Sequence, residues 1–335
     1  MKIQFLLRKG LLMTGIKPAY FLLSLIFLPG CALVDALHES KQLSNQQIRV
    51  NSILDVRTGK LINEAQLYQR VLASEYLLLG ETHDNSYHHE LQARIIKMLR
   101  HQPQRSISVS FEMITRKQAE LLNQQNYDTS KQLIDILDRV KNNWPYQRDY
   151  QIVFDSVITA GFEILPANLD LDTLIQISMQ PDEILPPDVR QLLEKTPLSE
   201  SQYTDLEKEI IYSHCNKLPS EAISPMMQVQ RVRDAVMALS LLRSKAETRV
   251  LIAGAGHTRN DRGVPLYLRG HDNTVNILSL AYLDVEPDTT DMQAYTQRWG
   301  GKTLPFDYVW FTPAVQRTED PCNAIKHRKK TEKDL

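Results

Sequence analysis

The stretch Glu75–Ile96, EYLLLGETHDNSYHHELQARII, decides how the rest of the chain is read. Its apolar run Tyr76–Leu79 ends in Gly80, and a run without polar alternation suits a strand buried on both faces of a parallel sheet. From about Asn85, apolar residues at Leu91, Ile95, Met98 and Leu99 recur at helical spacing, which makes the segment a strand–loop–helix unit. Glu81, His83 and Asp84 fall in the loop, and His88 and His89 open the helix. Coordinating side chains therefore crowd the mouth of a buried strand.

The same pattern recurs outward. ILDVRTGKLI (53–62) reads as a hairpin turning at Thr58-Gly59, and Asn63 with Gln66 starts a helix that carries Leu67 and Val71 on one face. SISVSFEM (106–113) alternates as a strand, 115–142 and 146–160 read as helical, and FEILPANL (162–169) is a further strand. Residues 171–225 are polar, helix-prone and broken by prolines at 181, 186, 187, 197, 219 and 225, which reads as a small inserted helical lobe. A long helix from about Met226 to Ala246 leads to TRVLIAG (248–254), and TVNILSL (274–280) and FDYVWFT (306–312) supply the last strands. Strands alternating with helices imply right-handed crossovers. The fold class expected is α/β over residues 51–318, a mostly parallel sheet flanked by helices with a smaller helical lobe at about 171–225.

The ends differ in kind. Lys2, Arg8, Lys9 and Lys17 are the only charges in the first thirty residues, and AYFLLSLIFLPG (19–30) follows as an apolar run. This reads as a secretion signal, since a membrane span needs roughly 20 apolar residues. LPGC (28–31) has the form of a bacterial lipobox, which makes 1–30 a signal peptide and 31–50 a lipidated Cys31 with its linker; a plain signal with an incidental cysteine is the alternative. Met13 is an alternative start. Ala32 after the cysteine fits sorting to the outer membrane, facing the periplasm. Losing four positive charges takes the formal net charge from −1 to −5, which disfavours nucleic acid as a partner. The tail 319–335, ending KHRKKTEKDL, reads as a solvated, flexible basic end. Cys215 and Cys322 remain, and their pairing is left open.

Ligands of open α/β sheets sit outside the carboxyl ends of the strands. His83 in LLLGETH, Glu112 in VSFEM and His257 in VLIAGAGH all fall at such ends. The two histidines share one grammar, an apolar strand and then Gly-x-x-His, with Gly80, Gly254 and Gly256 as turn glycines. Two histidines and a carboxylate form a common ligand set for zinc or non-haem iron, and Glu81 is the general base if that metal serves hydrolysis. Secondary candidates for the pocket are His88 and His89, Tyr150 beside Trp144 and Tyr146, and Gln230 and Asp234, which share the long helix with Gln228, Arg233 and several methionines. Arg259 and Arg262 pair either with an anionic ligand or with Asp261 and surface acids. Nucleotide loops, paired CxxC motifs and a serine nucleophile elbow are absent from the sequence.

LLLGETHDNSYHHELQ (77–92), SFEM (110–113), QVQRVRDAVMA (228–238) and VLIAGAGHTRNDRGVPLYL (250–268), in that order behind a lipobox, resemble the ChaN-like iron-regulated lipoproteins, a haem-binding branch of the Tiki/TraB-like superfamily. The resemblance implies a lipid-anchored protein of haem or iron acquisition, with haem as ligand and a haem-uptake receptor or a second copy of the chain as partner. In that superfamily the Gly-x-x-His pair and the Glu map to His83, His257 and Glu112, which hold a divalent metal in protease-like members. Two function classes follow: a haem-binding lipoprotein, in which the crevice of His83, Glu112 and His257 and the helical lobe grip haem with Arg259 or Arg262 available for its propionates, and a metal-dependent hydrolase of peptidase or esterase type that holds its metal with the same three residues.

Overall fold

The computed structural model describes residues 48–102, 104–140, 144, 147–179, 184–285, 291–317 and 322. The signal peptide, Cys31, most of the linker and most of the basic tail lie outside the described residues. Eight strands form one sheet: β1 (Ile53–Asp55), β2 (Lys60–Ile62), β3 (Tyr76–Glu81), β4 (Ile107–Thr115), β5 (Glu163–Asn168), β6 (Thr248–Gly254), β7 (Ile277–Val285) and β8 (Tyr308–Pro313). Their order is β2-β1-β8-β7-β3-β6-β4-β5. The six strands from β8 to β5 run parallel, while β1 lies antiparallel to both β2 and β8. This is the α/β fold expected.

Among the described residues eleven α-helices flank the sheet: α1 (Glu64–Ala73), α2 (Ser86–Leu99), α3 (Arg116–Leu122), α4 (Ser130–Leu137), α5 (Gln151–Ala160), α6 (Leu171–Met179), α7 (Pro187–Lys195), α8 (Glu200–Ser213), α9 (Ser220–Arg243), α10 (Val264–His271) and α11 (Met292–Arg298). Strand alternation sends Leu77, Leu79, Val109, Phe111, Val250 and Ile252 to one face, where α1, α2, α4 and α5 cover them. Leu78, Leu251 and Ala253 point the other way, into a second core closed by α9 and α10. Every residue of β3 and β4 is buried: β3 by its apolar run, β4 because the serines and Glu112 on its second face are hydrogen-bonded.

Connectivity places the site. From β3 the chain crosses past β6 to β4, returns through β5 and the helices to β6, and then crosses to β7 on the far side of β3. The carboxyl ends of β3, β6 and β4 are therefore neighbours at a point where the winding reverses, the position where such sheets bind ligands.

Three local outcomes differ from the sequence reading. The helical stretch 115–142 is two helices, because Thr129 caps α4 by accepting a hydrogen bond from Gln132 N at 3.3 Å. The long helix begins at Ser220 rather than Met226, and Pro225 lies inside it. Pro225 is past the four free N–H groups of the first turn, so the helix forgoes the one hydrogen bond that residue 225 would otherwise donate to the Glu221 carbonyl. Within 171–225, α6 and α7 contribute Ile177, Val189 and Leu192 to the sheet's second core. By contrast, Leu206 and Ile210 of α8 close a small separate cluster with Met227. Cys215, just beyond α8, is disulfide-bonded to Cys322, with Cα atoms 5.7 Å apart. No helix among the described residues is long and apolar enough to cross a membrane.

Candidate functional site

Alternation also decides which way each acid leans. Glu81 continues the face of Leu77 and Leu79 toward α2 and α5, whereas Glu112 shares the face of Ser108 and Ser110, whose hydroxyls meet Ser244, which caps the end of α9, and Ser240 within it. The register of β4 against β5 shifts between Phe111 and Thr115, and Glu112 sits in that bulge with its carbonyl held by Asn168 Nδ2 at 2.9 Å. His83, in the loop after β3, lies over Gly254. A Cβ on Gly254 would stand 2.9 Å from His83 Nε2, and one on Gly80 would meet Thr258 Oγ1 at 2.2 Å. Close approach, rather than a left-handed turn, is what these two glycines supply.

Five contacts join six side chains into one row of alternating imidazoles and carboxylates. His89 Nε2 is 3.2 Å from Glu81 Oε2, near enough for charge attraction although neither atom has an aligned hydrogen bond. His83 Nδ1 is 3.1 Å from Glu81 Oε1, and its Nε2 is 3.7 Å from Glu112 Oε1. His257 Nε2 lies 3.5 Å from the same Glu112 oxygen, and its Nδ1 is 2.6 Å from Asp234 Oδ1. Tyr150 donates its hydroxyl to Glu81 Oε1, Arg233 pairs with Glu112 Oε1, and Gly254 N donates to Glu112 Oε2 at 2.6 Å. Gln230 Nε2 lies 3.1 Å from His257 Nδ1. Trp144 meets the His83 ring edge-on at 4.8 Å.

Burial and mutual attraction compete along the row. Desolvation pushes Glu81 up, but His83 and His89 outweigh it and hold the carboxyl down at about 2. Desolvation also opposes ionisation of Glu112, and His83, His257 and Arg233 still hold it well below its usual range. Burial lowers His257, yet Glu112 and Asp234 raise it to about 9. His83 is likewise raised, against burial, by Glu112 and then Glu81. For Asp234 burial wins, so its carboxyl is raised despite His257. Burial, then Glu81, lifts Tyr150 well above its usual value, which keeps it a neutral donor. Chemically, the row is a set of buried opposite charges that hold one another ionised.

The donor set does not fit a divalent metal. Both Glu112 oxygens are engaged, one by the Arg233 guanidinium and the other by a backbone N–H, so a positive charge already stands where a cation would bind. Among the described residues no group of three or more His, Cys, Asp or Glu is arranged to hold a metal ion. Glu81, wholly buried and held near 2, is a poor general base at neutral pH. The hydrolase reading is not favoured.

The structure gathers His83, Glu112, His257, Glu81, His89, Tyr150, Gln230 and Asp234 at one crevice. His88 turns away. Its Nδ1 accepts from Thr82 N at 2.9 Å, so its Nε2 carries the proton toward Thr312 Oγ1 at 2.8 Å and Asp284. Asp84 binds Arg317 through both oxygens, and Asn85 caps α2. Arg259 pairs with Glu209 and Asp261, and Arg262 with Glu209, so the acids of the protein take both guanidiniums, and Gly256 faces the same Glu209. The sequence reading noted Arg233 without placing it. Its signal was the i, i+3, i+4 spacing of Gln230, Arg233 and Asp234, one face of α9. Among the exposed large apolar side chains, Ile175, Met179, Tyr203 and Tyr212 cluster in the helices of 171–225.

Over 97% of its length, the solved structure "Cofacial heme binding to ChaN of Campylobacter jejuni" superposes on 79% of this chain with a TM-score of 0.60 at 22% identity. The type III effector HopBA1 (TM-score 0.40, 12% identity, 81% of this chain and 100% of that chain) and a mutant of the erythromycin esterase EreC (0.45, 12%, 82% and 99%) are more distant. No match was found among curated proteins. Residues 67–268 match the family described as haem-binding uptake, Tiki superfamily, ChaN, and this chain belongs to that family.

Proposed function

We propose that this chain is a periplasm-facing lipoprotein that binds haem and serves haem or iron acquisition. The observation that carries the reading is the family match across 67–268, which takes in the crevice and the helices of the lobe. Two features support it. The crevice side chains are engaged with one another, while Tyr203 and Tyr212 stand 43% and 61% exposed on α8. A tyrosinate is a fitting axial ligand for iron(III), and such a ligand must be reachable from outside. The cofacial haem binding of the Campylobacter jejuni protein extends the reading to a second copy of this chain as partner. The lipobox LPGC with Ala32 supports anchoring at Cys31 in the outer membrane.

The test is an absorption titration of the soluble form beginning after Cys31 with hemin. A saturable Soret band is expected, with Tyr203→Phe or Tyr212→Phe shifting it and His83→Ala leaving it in place; absence of a saturable band would overturn the reading. Cys31→Ser should leave the protein unprocessed or release it from membranes, and unchanged anchoring of that variant would remove the lipoprotein assignment.

A further inference from the structure

A second concave site lies in the lobe, on the outward side of α9. A cavity of about 220 Å³ opens between α7, α8 and α9, lined by Leu193, Tyr203, Ser224, Met227, Gln228 and Arg231, among others. Positions 224, 227, 228 and 231 follow i, i+3, i+4, i+7 spacing, so α9 turns one continuous face to it. That face is separate from the one bearing Gln230, Arg233 and Asp234, which serves the crevice.

What distinguishes this cavity is its arginine. Arg233, Arg259 and Arg262 are each matched by a carboxylate, whereas no carboxylate lines the cavity and none pairs with Arg231 among the described residues. Arg231 Nε is buried with no hydrogen-bond partner, as are Arg233 Nε and Arg262 Nε, so the contrast between them is the missing carboxylate. The polar neighbour of Arg231 on the inner side is Tyr267, which lies beside it without an aligned hydrogen bond. Burial, with help from Asp234, pushes that phenol to about 12, so it stays neutral and leaves the guanidinium charge uncompensated. A half-buried, unmatched guanidinium is costly in a fold that pairs its other buried arginines, unless an anion completes it.

The surroundings narrow the anion. Arg231 offers a fork of donors suited to a planar carboxylate, and the Gln228 amide and the Ser224 hydroxyl add further polar contacts. Leu193 and Met227 make the remaining wall apolar. One cation without a second favours a monoanion over phosphate. The volume is below the roughly 300–1,000 Å³ of sites that enclose a whole drug-sized ligand, so it suits one arm of a larger molecule.

We infer that this cavity is an anchoring subsite for a carboxylate borne on an apolar body, with Arg231 as the ion-pairing residue; resting on the haem reading above, that arm is a haem propionate. The inference reassigns to Arg231 the role the sequence reading offered to Arg259 and Arg262.

The experiment compares hemin with its dimethyl ester, and decanoate with decanol, on the soluble chain and on Arg231→Gln. The unaltered protein should bind hemin over its diester, and decanoate over decanol, by roughly 10- to 100-fold, the weight of a charge-assisted hydrogen bond. Arg231→Gln should erase both preferences while leaving the uncharged ligands unchanged. Should that variant fail to fold, Arg231→Lys, which keeps the charge without the fork, carries the same comparison with a smaller loss. Equal loss for acid and ester, no loss at all, or displacement of decanoate by inorganic phosphate would overturn the subsite. If hemin does not bind but the Arg231-dependent preference for decanoate persists, the haem reading falls and the carboxylate subsite stands.

Discussion

The crevice and the lobe cavity are built from similar residue types on different faces of α9, and they differ in completeness. In the crevice every acid has a base: Glu112 alone serves His83, His257, Arg233 and the Gly254 amide. In the cavity Arg231 has no acid at all among the described residues. Coordinating chemistry that is saturated from within holds the strand ends together, and chemistry left unsaturated is where a ligand gains most. The residues that looked most like a ligand set are therefore read as the framework, and the lobe as the receiving surface.

The comparison is broken most directly at Glu112. Replacing it by Ala strands two imidazoles and a guanidinium in a buried site, and loss of one partner from such a network costs about 3–5 kcal/mol. Urea unfolding should show that loss while hemin affinity of the folded fraction holds. A variant that unfolds like the parent but no longer binds hemin would make the crevice the ligand site.

The pH dependence sharpens the same point. Glu81 is held at about 2 against an ordinary 4.5, so its stabilisation is present above 4.5 and lost as pH falls through about 2. His257 is held at about 9 against 6.5, so its share is complete below 6.5 and gone above about 9. Each amounts to about 3 kcal/mol at most. Thermal unfolding should therefore peak near pH 5–6 and decline on both sides, with Glu81→Gln flattening the acid limb. An unchanged acid limb in that variant would show that Glu81 is not held by its neighbours.

On the lobe side, stability leans on a covalent tie. Leu206, Ile210 and Met227 form only a small core, and the Cys215–Cys322 disulfide joins the end of α8 to a residue 107 positions away. Closing so long a loop restricts the unfolded chain, and Cys215→Ser should cost about 2–4 kcal/mol in urea unfolding. Cleavage by a nonspecific protease should increase first at α8 rather than at the sheet; uniform cleavage would mean that the lobe and the sheet do not differ in this way.

How much of this the sequence disclosed follows from the range of the forces involved. YLLLG and VLIAG announce their strands because burial on both faces demands unbroken apolar residues, and SISVSFEM announces its own by alternation; strand ends then locate His83, Glu112 and His257. Partnership is another matter. Whether Arg259 meets a ligand or Glu209, 50 residues earlier, depends on how α8 docks, and local spacing carries no record of that. The same holds for Tyr150 against Glu81, for Cys215 against Cys322, and for Arg231, whose meaning lies in the acids that fail to reach it. The break between α3 and α4 was within reach, since Thr129 is a good cap, but the apolar residues on both sides kept helical spacing and masked it.

The smallest effect should come from the rim, between the two extremes. Asp84 neighbours His83 in sequence, yet it points outward and takes Arg317 through two hydrogen bonds of 2.6 Å, with both side chains about 30% exposed. Arg317 lowers the Asp84 carboxyl by direct hydrogen bonding. Water and salt reach this pair, so Arg317→Ala should cost only about 0–1 kcal/mol despite the bidentate geometry. The cost should shrink further when salt is raised to about 1 M, where charges farther apart than about 3 Å are screened. The Glu112 variant should respond little to the same salt, because its partners are buried. Measuring both variants in low and high salt separates rim from framework: equal salt responses would mean that Glu112 is solvated like Asp84, and the distinction between a closed crevice and an open lobe would lose its physical basis.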